Sequence, residues 1–277
     1  MRELEREPSP DTPACTRLAI VGQGRVGNAI ARALTGAVTG APTDPGALTR
    51  DFELIGPLGR GADGAGADAV LLCVPDAEIA NASAAIEPGP FVGHCSGATG
   101  LDPLAPHPRF SLHPLMTITA SRTPPLNGAG AAIAGSSPAA LDLARRLARA
   151  LQLVPIEIDQ ADRAAYHAAA SIASNFLITL EAAAERLATT AGVQRELLVP
   201  LVRATVENWA EVGAERALTG PVARGDEATV ASQRAAIAER APELLSLFDE
   251  LVEATRALAD STPTVGLAGT HTVGVAA

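Results

Sequence analysis

The chain has 277 residues, 47% of them hydrophobic, a net charge of −10 and three cysteines. That length is generous for one core and suits two domains, while the acidic balance and dispersed arginines argue against a nucleic-acid or anionic-membrane partner and leave a small ligand as the expectation. An odd number of cysteines without a C-x-x-C pair signals neither a disulfide framework nor a zinc knuckle and fits a reducing cytoplasm, and no stretch reads as a signal peptide or membrane span.

Met1 to Ala14 is charged and proline-bearing and reads as a loose tail. The apolar run Leu18 to Val21 follows as a strand, then Gly22-Gln23-Gly24-Arg25-Val26-Gly27, then Asn28 to Leu34 as a helix. Glycines at such a strand-to-helix turn form a dinucleotide-binding fingerprint. Gly22 permits the tight turn, Gly24 lets a pyrophosphate approach the backbone, and Gly27 lets the helix pack on the strand, whose partner helix offers free N–H groups to the anion. Gln23, Arg25 and Val26 belong to the same cofactor-binding set.

A Pro/Gly-rich insertion, Thr35 to Arg50, precedes a second strand, Phe52 to Ile55. An acid about 20 residues past the glycines ordinarily holds the ribose 2′-OH of NAD. Asp44 satisfies the count but lies inside the insertion. The strand runs out instead at Ile55-Gly56-Pro57-Leu58-Gly59-Arg60, which has no acid and offers Arg60, a bidentate fork suited to a 2′-phosphate. NADP is therefore expected in preference to NAD.

Ala69 to Val74 is an unbroken apolar run stopped by Pro75-Asp76, as a strand buried on both faces would read. Val74, Pro75 and Asp76 join the cofactor-binding set at its ligand edge. Ala77 to Ile86 fits a crossover helix, Phe91 to His94 a strand, and Arg109 to His113 another, stopped by Pro114. Ala131 to Ala134, a helix from Pro138 to Leu151, and Val154 to Ile158 extend the sheet. In His94-Cys95-Ser96-Gly97 the small Ser96 and Gly97 suit a backbone passing close to a cofactor, whereas a metal site on His94 and Cys95 would lack further ligands. His113 ends its strand where open α/β sheets place ligands, and is either a site residue or a satisfied structural histidine. His107 and His271 fall in a proline-rich loop and a tail.

Beyond Asp159 the pattern turns helical. Ala161 to Ala191 reads as one long helix, with Arg195 to Ala217 and Asp226 to Asp260 as further helical stretches that Pro200 and Pro242 should break or kink; Ser261 to Ala277 reads as a second tail. The expected organisation is an α/β domain over 16–158, a mostly parallel sheet with helices on both faces, followed by an all-α domain over 160–260 for substrate and dimerisation.

On the long helix Arg163, His167, Ser171 and Asn175 recur every four positions and share one slowly rotating stripe. The stripe is either a helix-packing network or a site; a solvent face would more often carry Glu and Arg than His, Ser and Asn. All 21 basic residues are arginine, so no lysine can act as acid, base or Schiff-base partner. In the turn-rich Leu218 to Asp226, Thr219 lies beside the turn, Arg224 suits a substrate carboxylate, and Asp226 either orients a histidine or caps the next helix.

Gly22-x-Gly24-x-x-Gly27, Val74-Pro75-Asp76, His94-Cys95-Ser96-Gly97, Ser111-Leu112-His113-Pro114-Leu115, Tyr166-His167-Ala168-Ala169-Ala170 with Ala173-Ser174-Asn175, and Leu218-Thr219-Gly220-Pro221 with Arg224-Gly225-Asp226 together resemble an uncharacterised family over about Thr16 to Asp260. Its members pair a Rossmann-like domain with an α-helical domain of unknown function. That family is similar to the 6-phosphogluconate dehydrogenase-like group, which includes ketopantoate reductase, 3-hydroxyisobutyrate dehydrogenase, prephenate dehydrogenase and pyrroline-5-carboxylate reductase. The resemblance implies NAD(P)-linked redox chemistry and a dimer through the helical domain. The hydroxyacid enzymes of the group place a lysine and, four residues on, an asparagine on the first long helix of the second domain; His167 and Ser171 stand approximately there, so those roles are not carried over.

The resulting expectation is an NADP-dependent reductase of a small oxo- or imino-acid. His167 or His113 protonates the developing alkoxide or amine, Asn175 and Ser171 hold the reacting group, and Arg224 binds the carboxylate. Ketopantoate, then pyrroline-5-carboxylate, are the substrates that kinship suggests. The rival is a non-catalytic NADP(H)-binding redox sensor, a reading that the missing lysine favours.

Overall fold

The period-two alternation of a strand places residues i and i+2 on one face. In β1 (Thr16–Val21) it sends Leu18 and Ile20 into one core and Ala19 and Val21 into another, so the strand is buried on both sides. The computed structural model describes residues 15–36, 51–119 and 124–261. Asp44, most of the insertion, His271 and both expected tails apart from Ser261 lie outside the described residues.

From β1 the chain enters α1 (Arg25–Leu34), β2 (Phe52–Leu58) and β3 (Ala69–Leu72). A 3-10 turn, Asp76–Glu78, leads into α2 (Ile79–Ala84), and β4 (Phe91–His94), β5 (Arg109–Pro114), β6 (Gly130–Gly135), α3 (Pro138–Ala150) and β7 (Val154–Glu157) follow. The seven strands form one sheet in the order β2-β1-β3-β4-β5-β6-β7. The first five are mutually parallel, β6 runs antiparallel to β5, and β7 is parallel to β6. Ile30, Ala31 and Leu34 of α1 and Leu143, Ala144 and Leu147 of α3 pack in the core containing Leu18, while Ile79 of α2 packs in the core containing Ala19. Helices therefore cover both faces, as parallel strands require. Chain order reverses between β1's neighbours β2 and β3, the switch point at which such sheets open a crevice beyond their strand ends.

Local differences from the sequence reading have local causes. The expected crossover helix is divided into the 3-10 turn and the short α2. Pro114 lies within β5 and pairs with Ala131 of the antiparallel β6, so it ends the strand one residue later than expected. Ser137 caps α3 by accepting a hydrogen bond from the Ala140 N–H at 3.2 Å, with Pro138 just inside the helix.

The helical part comprises α4 (Arg163–Ser171), a π-helical turn Ile172–Phe176, α5 (Leu177–Thr190), α6 (Arg195–Val212), α7 (Ala214–Ala217), α8 (Glu227–Arg240) and α9 (Leu245–Ser261). The expected single helix over 161–191 thus contains a wider turn, which breaks the four-residue stripe between Ser171 and Asn175. Pro200 sits inside α6 without ending it: its missing N–H removes a bond only to the first turn. The break comes at Gly213, whose φ of +79° leaves the helical region. Ala241, preceding Pro242, is extended at φ −152° and ψ 62°, and there the expected interruption occurs. The pattern turns helical at Asp159, but the first compact unit continues through Ser174 and the second begins at Asn175. Arg163 explains why α4 stays with the sheet: it is buried there and hydrogen-bonds Ser111 of β5 and Ser96 just past β4.

Candidate functional site

The glycine turn is built by close packing. Gly22 adopts φ +125°, and a Cβ there would lie 2.2 Å from the Cys73 carbonyl oxygen; a Cβ on Gly27 would lie 2.0 Å from the Gly22 carbonyl oxygen. A Cβ on Gly24 would meet nothing within 4 Å. Two glycines are thus demanded by the protein's own backbone, and the third leaves open space where a ligand would come. Gly24 caps α1 without a side-chain hydrogen bond and the first turn holds no acid, so its leading N–H groups remain for an anion.

A cavity of about 380 Å³ opens at this turn. Of the residues expected to bind the cofactor, Gly22, Gln23, Gly24, Arg60, Val74 and Pro75 line it. Arg25, Val26 and Gly27 continue into α1, and Asp76, Ser96 and Gly97 are not among its lining residues. Cys73, Glu78 and Asn81 do line it and were missed. Glu78 matters for cofactor choice: the strand end has no acid, but the 3-10 turn brings this carboxylate to 3.8 Å from Arg60. Arg60 is 86% exposed, so the pair is weak and the guanidinium is available to a phosphate.

From Pro75 a polar chain runs along the C-terminal ends of β3, β4 and β5. Ser96 Oγ donates to Asp76 at 2.8 Å and accepts the N–H groups of Ala98 and Thr99 at 3.2 and 2.9 Å. His94 is fully buried; its Nδ1 accepts the Ser96 N–H at 3.2 Å, which leaves the proton on Nε2 to bond the Gly100 carbonyl at 2.9 Å. Burial holds His94 below the ordinary imidazole range. His94 is therefore a neutral strut that shapes the Ser96-Gly97 turn.

That turn brings the two candidate histidines together. A Cβ on Gly97 would lie 2.8 Å from His113 and from His167, so both rings pack on bare backbone. The ring centroids of His113 and His167 are 6.3 Å apart, and Tyr166, the chain's one tyrosine, stands edge-on to His113 at 5.6 Å with its hydroxyl 2.8 Å from Nδ1. Burial, reinforced by the His167 and Arg163 charges, pushes His113 down to about 4. With the imidazole neutral, the phenol O–H donates to Nδ1. Burial likewise raises the Tyr166 phenol, although the Arg163 charge and, less, the Ala132 backbone N–H favour its anion. The adjacent Tyr166-His167 pair was the signal by which Tyr166 could have been found.

Ser171 is half-buried at the end of α4. Asn175 opens the second unit within the π turn, its carbonyl accepting the Thr179 hydroxyl at 3.1 Å. Thr219 and Arg224 are exposed on the 218–226 turn of the second unit. Asp226 caps α8, accepting the Thr229 N–H at 3.1 Å and hydroxyl at 2.6 Å, bonds that hold its carboxyl below the usual range. His107 is buried, with Nε2 3.2 Å from the Ser83 carbonyl.

A mostly parallel sheet with a glycine turn at its switch point defines a dinucleotide-type fold. Residues 130–255, from β6 into α9, match a domain of unknown function, DUF2520. Among curated proteins none matches it. Solved structures share the fold: a protein of Bacteroides fragilis provisionally classed as an NADP oxidoreductase is 19% identical, with 88% of this chain and 99% of that one aligned at TM-score 0.70. A 1-pyrroline-5-carboxylate reductase of Streptococcus pyogenes is 13% identical over 88% and 99% at 0.57. A reductive aminase of Aspergillus terreus, in complex with NADPH and ethyl levulinate, is 20% identical over 90% and 95% at 0.54.

Proposed function

We propose that this protein is an NADP-dependent reductase that delivers hydride to the C=O or C=N carbon of a small oxo- or imino-acid and works as a homodimer. The observation that carries this reading is the adjacency within the first unit: the cavity at the glycine turn is lined by Pro75, the next residue Asp76 accepts the Ser96 hydroxyl, and Gly97 after it carries the packed pair of imidazoles. NADP(H), when bound, supplies the hydride. The Gly22–Gly24 backbone and the α1 N-terminus fit its pyrophosphate, and Arg60 fits its 2′-phosphate.

The two histidines take different roles. His113, neutral down to about pH 4, has no proton to give near neutrality and instead offers Nε2–H as a hydrogen-bond donor. His167 supplies the proton to the developing alkoxide or amine. Ser171 and Asn175 are the proposed polar groups for the reacting centre, and Arg224 is the proposed carboxylate ligand.

Turnover of NADPH with a panel that includes ketopantoate and pyrroline-5-carboxylate tests the reading. His167→Gln should lower kcat by roughly 10²–10⁴-fold, the loss expected for general acid catalysis, leave NADPH affinity intact, and remove the limb an imidazole contributes to the pH–rate profile. His113→Gln should retain that limb. Tight NADPH binding without turnover on any member of the panel would replace the reductase with a cofactor-binding sensor.

A further inference from the structure

Arg163 is 2% exposed, and among the described residues its hydrogen-bond partners are the neutral Ser96 carbonyl and Ser111 hydroxyl, with no acidic side chain in an ion pair with it. Its guanidinium donates to the Ser111 hydroxyl at 2.9 Å and the Ser96 carbonyl at 3.3 Å, and its buried Nε has no partner. An arginine so placed costs free energy, because neutral oxygens compensate a buried charge less well than a carboxylate does. Its position explains what it accomplishes. Ser111 lies two residues before His113, Ser96 immediately precedes Gly97, and Arg163 itself lies three and four residues before Tyr166 and His167 on α4. One side chain therefore ties together the three pieces of backbone that carry the imidazole pair.

We infer that Arg163 is the positioning residue of this site, a buried cation that clamps α4 to β5 and to the turn after β4 and sets a fixed positive charge beside His113. The inference rests on the reductase reading for its meaning in catalysis, but not for its test. His113 faces His167 and Tyr166 from α4, Arg163 from the same helix, Asp76 from the 3-10 turn after β3, and His94 from β4. Of these only Asp76 is negative, and it accepts the Ser96 hydroxyl. A proton on His113 would thus enter a region that already contains a fixed positive charge.

Histidine C–H resonances followed by NMR against pH, in the cofactor-free protein, test this without any substrate. Spectra of His113→Gln and His167→Gln assign the two signals. In Arg163→Met the His113 midpoint should rise by about one pH unit, the size of effect a neighbouring like charge exerts, and only part-way to the free value because burial persists. Arg163→Lys keeps the charge and should leave that midpoint close to wild type, while loosening the clamp. Ser111→Ala removes one tether and keeps the guanidinium; it should broaden or shift the His113 and His167 signals without raising the midpoint, and it covers the case in which Arg163→Met does not fold. An unchanged His113 midpoint in folded Arg163→Met overturns the electrostatic role. Wild-type histidine signals in both Arg163→Lys and Ser111→Ala overturn the clamp. Absence of turnover on every substrate would remove the reductase reading and leave these results standing.

Discussion

Arg60 and Glu78 place opposite charges at one cavity, and the balance between them decides which dinucleotide is preferred. A 2′-phosphate gains the guanidinium and must approach a carboxylate; a 2′-hydroxyl can donate to that carboxylate. The nearly exposed arginine can turn away from Glu78 at little cost, so NADPH is expected to bind more tightly. Arg60→Ala should weaken NADPH by about ten- to a hundredfold, the range for a charge-assisted hydrogen bond, and leave NADH nearly unchanged in calorimetry. Equal losses for both would remove Arg60 from the 2′ position. At this scale the sequence was only partly legible. Arg60 could be read from the strand end, but Glu78 arrives from a different element, and nothing in a linear spacing shows that 3.8 Å approach. Arg163 showed the same limit: the periodic stripe identified it, yet only packing shows that it is the buried member.

The strands were the most legible elements, because burial on both faces leaves continuous apolar runs such as Ala69 to Leu72. The glycine turn was legible for a stronger reason, since backbone contact excludes any side chain at two of its positions. Gly27→Ala would drive a methyl into the Gly22 carbonyl and should cost roughly 1–3 kcal/mol, as overpacking does, lowering the thermal midpoint even without cofactor. Gly24→Ala should leave that midpoint unchanged and weaken NADPH binding, because its methyl enters open space beside the anion site. A Gly24→Ala protein that bound NADPH normally would place the pyrophosphate elsewhere. Helices were less legible. The π turn at Ile172–Phe176 has no composition that distinguishes it from its flanks, and Pro200 misleads because the cost of a proline depends on how much helix precedes it.

At the scale of the whole molecule, the second unit has too few buried residues for its apolar content. Val230, Ile237, Ala241 and Val252 are its buried hydrophobics among the described residues, whereas Leu197, Leu201, Val206 and Trp209 of α6 and Leu247 and Leu251 of α9 remain exposed. Leu197 and Leu201 are four apart, so they share one side of α6. Apolar surface of this kind marks an interaction site, and a two-fold assembly covers it twice with one self-complementary patch. Light scattering at micromolar concentration should therefore give the mass of a dimer, and a monomer would contradict the proposal.

Trp209 would make the proposed dimer optically visible. It is the chain's one tryptophan and is 58% exposed on α6, so its indole reports the polarity of that surface without interference from another tryptophan. Burial against a second copy would move its emission to shorter wavelength, and dilution below the dissociation constant would return it. The same residue that marks the exposed face is thus an intrinsic fluorophore that would measure how tightly a proposed second copy covers it.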